Sequence, residues 1–348
     1  MSGKLRWVIG VAAGVGALGV AATSSLLMLA HHFVEELSGP HRPLDDEYIP
    51  WTLPDPGPEP PASHRRSLLF HTTDGTLLCG DFWAQPQPAP TIVICHGYRI
   101  NRTHMRPVAA LEYQDGYNIL LFDFRGHGES ESVATSGGNA EIRDLEAALN
   151  VARQQPETLP GKIIIHGFSM GASVALLTDP QTDVAAIVLD SPYARLDEIL
   201  QRIMHWQLTR SSKSWKPFLH PLRNGFHALT QATLVVSTVI FRLRFGHALN
   251  ARPDTSFRRW QARSNGLIRK GYPPILLIHG MKDSAVPITH AHKIVTQAQA
   301  HNITLETYFV EDADHCGAYG YDPQQYIQVL RQFMAQHLDN DSMQGPAV

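Results

Sequence analysis

Gly167-Phe168-Ser169-Met170-Gly171 lies between an apolar β-like run, Lys162 to His166, and a helix-forming stretch, Ala172 to Leu177. A Gly-x-Ser-x-Gly at a strand-to-helix turn lifts the serine hydroxyl off the end of a sheet, where it can attack a carbonyl carbon. Glycines flank it because the turn is tight and a Cβ would collide with neighbouring backbone. Asp283 follows a second apolar run, Ile275 to His279, and His315 follows a third, Ile303 to Val310. A hydroxyl nucleophile needs a base to take its proton, and an imidazole base needs a carboxylate to orient it and balance its positive form. Ser169, Asp283 and His315 supply these groups in the order nucleophile, acid, base, each just past an expected strand. Asp190, at the end of the run Ala185 to Asp190, is a rival acid.

The elements that must position these residues are legible as alternating runs. Ser67 opens a hairpin, with strands Leu68 to His71 and Leu77 to Trp83 around a turn at Asp74-Gly75. Further strands are expected at Thr91 to Cys95, Asn118 to Asp123, Lys162 to His166, Ala185 to Asp190, Ile275 to His279 and Thr304 to Val310. Helices are expected at Thr103 to Gln114, Asn139 to Gln155, Ser169 to Leu177, Thr289 to Ala300 and Pro323 to His337. Uniformly apolar strands alternating with helices predict an α/β chain with a mostly parallel sheet, covered by helices on both faces. Pro192 to Tyr272 breaks the alternation with no convincing strand, and reads as an inserted helical cap. Within it Phe226 to Phe245 is helix-like and apolar, with Arg242, Arg244, Arg252, Arg258 and Arg259 at and after its end; it is interrupted by Arg242 and rich in β-branched residues, which argues against a second membrane span. The basic stretch reads as a solvated face, with contact to anionic headgroups as the sharper alternative.

Upstream, Trp7 to Ala30 carries no charged residue, and as a helix it would reach roughly 36 Å, enough to cross a bilayer. Lys4 and Arg6 precede it and Glu35 and Glu36 follow, so the positive-inside rule puts the N-terminus in the cytoplasm and the remainder outside. The competing reading is a signal peptide cleaved after Val20-Ala21-Ala22, giving a secreted chain. Gly39 to Pro61 holds eight prolines and reads as an extended tether. The expected organisation is an anchor or signal peptide at 1–30, a tether at 31–63, a catalytic domain at 64–191 and 273–340, and a cap at 192–272.

A net charge of -3 offers nothing to nucleic acid. Three cysteines, Cys79, Cys95 and Cys316, give no disulfide framework and read as small buried hydrophobes, although an oxidising compartment would permit a Cys79–Cys95 bridge. The histidines are scattered and lack metal-ligand spacing; His290-Ala291-His292 and His31-His32 have no acidic or cysteine partners, so neither metal nor cofactor is expected.

Five blocks together resemble the α/β-hydrolase superfamily, in particular its bacterial serine esterase-like or peptidase-like branch. They are Cys95-His96-Gly97-Tyr98, Asp123 to Ser130, the Ser169 turn, His279 to Asp283 with Val286-Pro287, and Asp314-His315. The resemblance runs from about Ser67 to Leu338 and implies an α/β-hydrolase fold: an eight-stranded sheet, its second strand antiparallel, with a cap commonly inserted after the sixth. It favours Asp283 over Asp190, because the acid usually follows the seventh strand, and it makes Arg125-Gly126-His127-Gly128 a structural turn. Backbone N–H groups of Met170 and Tyr98 are the expected oxyanion donors. The activity implied is hydrolysis of a small-molecule or lipid-like carboxylic ester through an acyl-enzyme. A serine peptidase, amidase or thioesterase is the alternative, and a non-catalytic scaffold is disfavoured because no triad member is missing. Epoxide hydrolase and dehalogenase chemistry would need an aspartate in place of Ser169.

Overall fold

Every residue of β4 (Asn118–Phe122) is buried, as is every residue of β7 (Ile275–Gly280). Strands this apolar need cover on both sides, and the computed structural model supplies it; it describes residues 23–39, 58–180, 183–210, 223–264 and 271–338. The remaining strands are β1 (Arg65–His71), β2 (Leu77–Trp83), β3 (Ala89–Cys95), β5 (Thr158–Phe168), β6 (Val184–Asp190) and β8 (Leu305–Val310). They form one sheet in the order β1-β2-β4-β3-β5-β6-β7-β8. β2 runs antiparallel to both neighbours, and all other pairings are parallel. This is the eight-stranded arrangement the resemblance implied.

Strand order reverses between β3 and β5: the chain leaves β3 to one side for β4, then returns to its other side for β5. Such a reversal opens a crevice at the carboxyl ends of the two strands, where the connections diverge. Cys95 and Gly167 are register partners there, so His96-Gly97-Tyr98 and the Ser169 turn leave the sheet side by side.

Helices α2 (Arg106–Gln114) and α10 (Pro323–Leu338), the latter preceded by the single turn α9 (Ala318–Tyr321), cover one face. Val108, Leu111, Leu330 and Phe333 join a core with Ile92, Ile94, Ile164 and Val188, the same-side residues of three neighbouring strands. α3 (Ile142–Gln154) and α4 (Met170–Leu177) pack on β3 and β5 through residues such as Leu145, Leu149 and Val174, outside that cluster. α8 (Thr289–Ala300) packs on β8. α2 is shorter than the sequence pattern predicts. A 3-10 turn, Arg102–Met105, precedes it, capped by the Asn101 side chain that accepts from Thr103 N at 2.9 Å. Pro107 in the first turn then lacks only an N–H that a helix start leaves unpaired.

The chain divides into two units, Met1–Gly39 with Asp197–Leu249 and Pro40–Leu196 with Asn250–Val348. Residues 192–196 and 250–264, placed in the cap on sequence alone, thus fall with the sheet. Leu196 N donates to Ala251 O at 3.0 Å and Asp254 N to Ala194 O at 3.1 Å. Phe257 and Trp260, on α7 (Ser256–Ser264), meet the Tyr272 ring edge-on at 5.2 and 5.3 Å. The smaller unit contains α1 (residues 23–38), most of α5 (Leu196–Arg210) and α6 (Arg223–Phe245). Residues 31–38, expected in the tether, continue α1, because the prolines begin only at Pro40. Residues 1–22 of the expected anchor, 40–57 of the tether and 339–340 of the catalytic domain lie outside the described residues.

The turn after β4 is held by buried ion pairs. Arg125 reaches Asp144 with Nη2 at 2.7 Å and Nε at 2.8 Å, its backbone N bonds the same carboxylate, and its other edge pairs with Asp74. Asp123 pairs with Arg102 and accepts from Glu129 N at 2.9 Å. These bonds account for the Asp-x-Arg-Gly pattern as structure. Asp144→Ala would leave a buried guanidinium half paired, a change that costs about 3–5 kcal/mol. The urea midpoint of the variant should fall accordingly; an unchanged midpoint would show that Asp74 alone suffices.

Candidate active site

Ser169 caps α4 with φ 51° and ψ -110°, a left-handed backbone that a residue with a Cβ adopts only under constraint. The constraint is visible. Ser169 N donates to Asp190 O at 2.8 Å, and Ser173 N returns to Ser169 O at 3.1 Å. A Cβ on Gly171 would stand 2.2 Å from Cys95 O, and one on Gly167 would stand 2.6 Å from Ala172 N. Both glycines are therefore needed for the helix to begin this close to the sheet.

The hydroxyl so presented meets an imidazole. His315 Nε2 lies 2.9 Å from Ser169 Oγ, and His315 Nδ1 lies 2.7 Å from Asp283 Oδ2. Asp283 is buried, and its other oxygen accepts from Val286 N at 2.7 Å and Ala285 N at 3.0 Å. A carboxylate with these donors cannot swing away from the ring. Burial keeps His279 neutral by lowering its pKa, so its Nε2–H donates to Val286 O at 2.8 Å and closes the same loop. Asp314 fixes the His315 loop to the Asp283 loop: its Oδ1 accepts from Ser284 N at 2.7 Å and His315 N at 2.8 Å. The charged chemistry is thus one exposed-edge imidazole between a hydroxyl and a fully held carboxylate.

Asp190 is elsewhere. Its carboxyl accepts from Ser191 Oγ at 2.9 Å and lies 3.4 Å from Tyr326 OH. Tyr326 OH is also 3.3 Å from His166 Nε2, and His166 Nδ1 bonds Glu112 Oε1 at 2.6 Å. Glu112, His166, Tyr326 and Asp190 therefore form a buried polar string beneath the serine turn, of which sequence reasoning singled out only Asp190, as a rival acid. Ser191 and Cys316 also escaped it. Both have positive φ, and Cys316 N donates to Ser191 Oγ at 3.0 Å, tying the base's loop to the end of β6.

The two expected oxyanion donors lie on separate segments, each next to Ser169 or to a residue that approaches it. Met170 opens α4, so its N–H has no acceptor within the helix and stands at the positive end of the helix dipole. A Cβ on Gly97 would be 3.4 Å from Ser169 Cβ, which brings the chain at Tyr98 against the nucleophile. His96 holds that loop: Phe124 N donates to its Nε2 at 3.0 Å, so Nδ1 carries the proton towards Gly97 O at 2.7 Å. Burial depresses His96 to about 3, consistent with a neutral ring.

All three cysteines are free thiols. Cys79 and Cys95 cannot bridge as the expectation allowed, because β4 lies between their strands. Cys316 is buried, with Sγ 3.9 Å from His315 Nε2, and burial raises its thiol well above the usual range. Among the described residues no group of three His, Cys, Asp or Glu side chains could hold a metal ion.

Sheet order, the strained serine at a strand-to-helix turn and the imidazole beside it define an α/β hydrolase. Residues 86–315 match the family described as serine aminopeptidase, S33, and the chain belongs to that family. It is 25% identical over 253 residues to the uncharacterized protein YqkD of Bacillus subtilis (strain 168), covering 72% of each chain. Over 155 residues it is 32% identical to the uncharacterized protein Rv2307c of Mycobacterium tuberculosis, 42% of this chain and 54% of that one. The esterase Pf2001 of Pyrococcus furiosus superposes with a TM-score of 0.59 at 23% identity, over 81% of this chain and 96% of that one. At that identity the likeness is one of fold.

Burial pushes the Asp190 carboxyl from 3.8 up to about 6. Between those values the folded chain holds a proton that the unfolded chain has released, so stability falls as pH rises through the window. Asp190→Asn removes this titration. Its loss of stability between pH 4 and pH 7 should be smaller than that of the parent by up to about 3 kcal/mol in urea unfolding. Equal losses would mean that Asp190 is already ionised in the fold at pH 4.

Proposed function

We propose that this chain is a serine hydrolase that cleaves carboxylic esters through an acyl-enzyme. The observation that carries the proposal is the unbroken line Ser169 Oγ, His315 Nε2, His315 Nδ1, Asp283 Oδ2, with spacings of 2.9 and 2.7 Å. In the proposed cycle Ser169 Oγ attacks the ester carbonyl carbon as its proton passes to His315 Nε2. Asp283 keeps Nδ1–H pointed at itself and balances the imidazolium without taking the proton. The carbonyl oxygen gains the negative charge and is met by the N–H groups of Met170 and Tyr98. Collapse breaks the bond to the alkoxy oxygen, which leaves as the alcohol with the proton from Nε2. Water then attacks the acyl-serine by the same route, giving the acid and restoring Ser169.

A peptidase reading is supported by the family's description, since the same triad serves an amide when the leaving nitrogen is protonated. On the same proposal the substrate is small or lipid-like. Residues 7–30 anchor the chain with its catalytic domain outside the cytoplasm, a reading that rests on the charge asymmetry around that segment.

Ser169→Ala should abolish fluorophosphonate labelling and turnover of p-nitrophenyl esters while leaving the circular dichroism spectrum unchanged. Labelling that survives in the pure variant would move the nucleophile elsewhere. A series from acetyl to palmitoyl esters, run beside aminoacyl p-nitroanilides, separates esterase from peptidase by kcat/KM. Asp283→Asn should lower kcat by about 10⁴-fold, because the imidazole loses the partner that selects its tautomer. Asp190→Asn should leave kcat within a few-fold of the parent; if the two results were exchanged, Asp190 would be the acid.

A further inference from the structure

α6 buries Leu234 and Phe241, yet its buried face also holds small polar side chains and its exposed face aliphatic ones. Thr230, Thr233 and Ser237 are buried, while Val235, Val239 and Leu243 are 64%, 53% and 83% exposed. The three valine and leucine positions are spaced four apart, so they make one continuous stripe. Only 28% of the window His227–Phe245 is buried, and it is long and apolar enough to cross a membrane by length and composition. From residue 224 to residue 241 there is no Asp, Glu, Lys or Arg.

The hydroxyls on this helix make no demand on water. Thr233 Oγ1 donates to Leu229 O at 2.8 Å and Thr238 Oγ1 to Leu234 O at 2.9 Å, each closing on its own helix. Ser237 Oγ donates across to Ala30 O on α1 at 3.3 Å. Small polar residues between helices, with aliphatic side chains outside, form the arrangement that suits lipid, where backbone and hydroxyls must find partners within the protein.

α1 tells what covers the stripe. It continues the uncharged run that begins at Trp7, and its Leu27 and Met28 are exposed at 48% and 73%. Its contacts with α6 advance together, Ala30 with Ser237 and then Glu35 with Arg244, so the two helices run in the same direction. Their charged ends therefore meet: Glu35 of α1 pairs with Arg244 of α6, and His31, His32 and Glu36 lie in the same two turns of α1 as Glu35. Below that level both helices present aliphatic side chains.

We propose that α6 is embedded in the lipid bilayer beside α1, its Val235–Val239 stripe facing acyl chains and Arg242 and Arg244 at the headgroups. The sequence reading counts Arg242 against a second membrane span; on this proposal the arginines mark the boundary of the embedded segment. Fifteen residues separate His227 from Arg242, roughly 22 Å of helix, so the segment reaches past the middle of the bilayer's hydrocarbon core. The proposal is independent of the reaction at Ser169.

The test uses the full chain reconstituted in phosphatidylcholine–phosphatidylglycerol vesicles. Cys79→Ser leaves only the buried Cys95 and Cys316, and Val235→Cys then takes a single environment-sensitive fluorophore; a second chain carries it at Gln299→Cys on the catalytic unit. Fluorophosphonate labelling and circular dichroism report whether each chain is folded. The expected result is loss of most of the emission at 235 to doxyl-labelled lipid and little to aqueous iodide, with the opposite at 299. Quenching at 235 by iodide to the same degree as at 299 overturns the proposal. Shielding from both quenchers also overturns it, since protein would then cover the stripe.

Discussion

The hydrogen bond from Ser169 N to Asp190 O is the constraint on which the site depends. It draws a serine into left-handed backbone at the point where β5 must become α4, and it does so from the neighbouring strand. A lone residue in that region costs of order 1–3 kcal/mol, so it survives only where the surroundings overdetermine it. Here the strain is shared. Ser169, Ser191 and Cys316 all have positive φ and are joined through Asp190 and the Ser191 hydroxyl. The nucleophile, the end of β6 and the loop of the base thus form one stiff piece. A shift of any one of the three strands would misplace both partners of the proton transfer.

Beneath that piece lies the polar string from Glu112 to Asp190. A carboxylate pair spaced by a histidine and a tyrosine is an expensive thing to bury, and hydrogen bonds along its length offset the loss of water. It ties α2 and α10 to β5 and β6, two strands that already pair with each other in the sheet. Apolar packing tolerates small slides; a string of directed bonds does not. The polar layer therefore adds register to a core that supplies bulk.

Much of this was legible in residue order. Uniform apolar runs located all eight strands within a few residues, and Gly-x-Ser-x-Gly marked the turn, because glycine is demanded there by backbone contacts that no other residue avoids. The choice between Asp190 and Asp283 was not decided by local pattern, since both end apolar strands; only the neighbouring fold brings one carboxylate to the imidazole. Ser191, Tyr326 and His166 gave no signal, for their partners lie up to 160 residues away in the chain. Phe257 and Trp260 look like any helical aromatics until Tyr272 is seen against them, so local pattern does not mark where an insertion would end. α6 was legible as a helix at Phe226 to Phe245. Its valines and threonines lower helix propensity slightly, but apolar surroundings and a packed neighbour outweigh a few tenths of a kcal/mol per residue.

The pairing of α1 with α6 bears on how such a chain could be processed. A cut after Ala22 would fall just before the first described turn of α1 and leave Ala30, Phe33 and Val34 in place. Removal of the segment before it would therefore not set the smaller unit loose. A cut anywhere after Ser38 would instead strip α6 of its neighbour and uncover Ser237 and Phe241. Two trimming events about sixteen residues apart would thus have opposite fates: one gives a shorter chain with its helix pair intact, the other an orphaned greasy helix prone to aggregate.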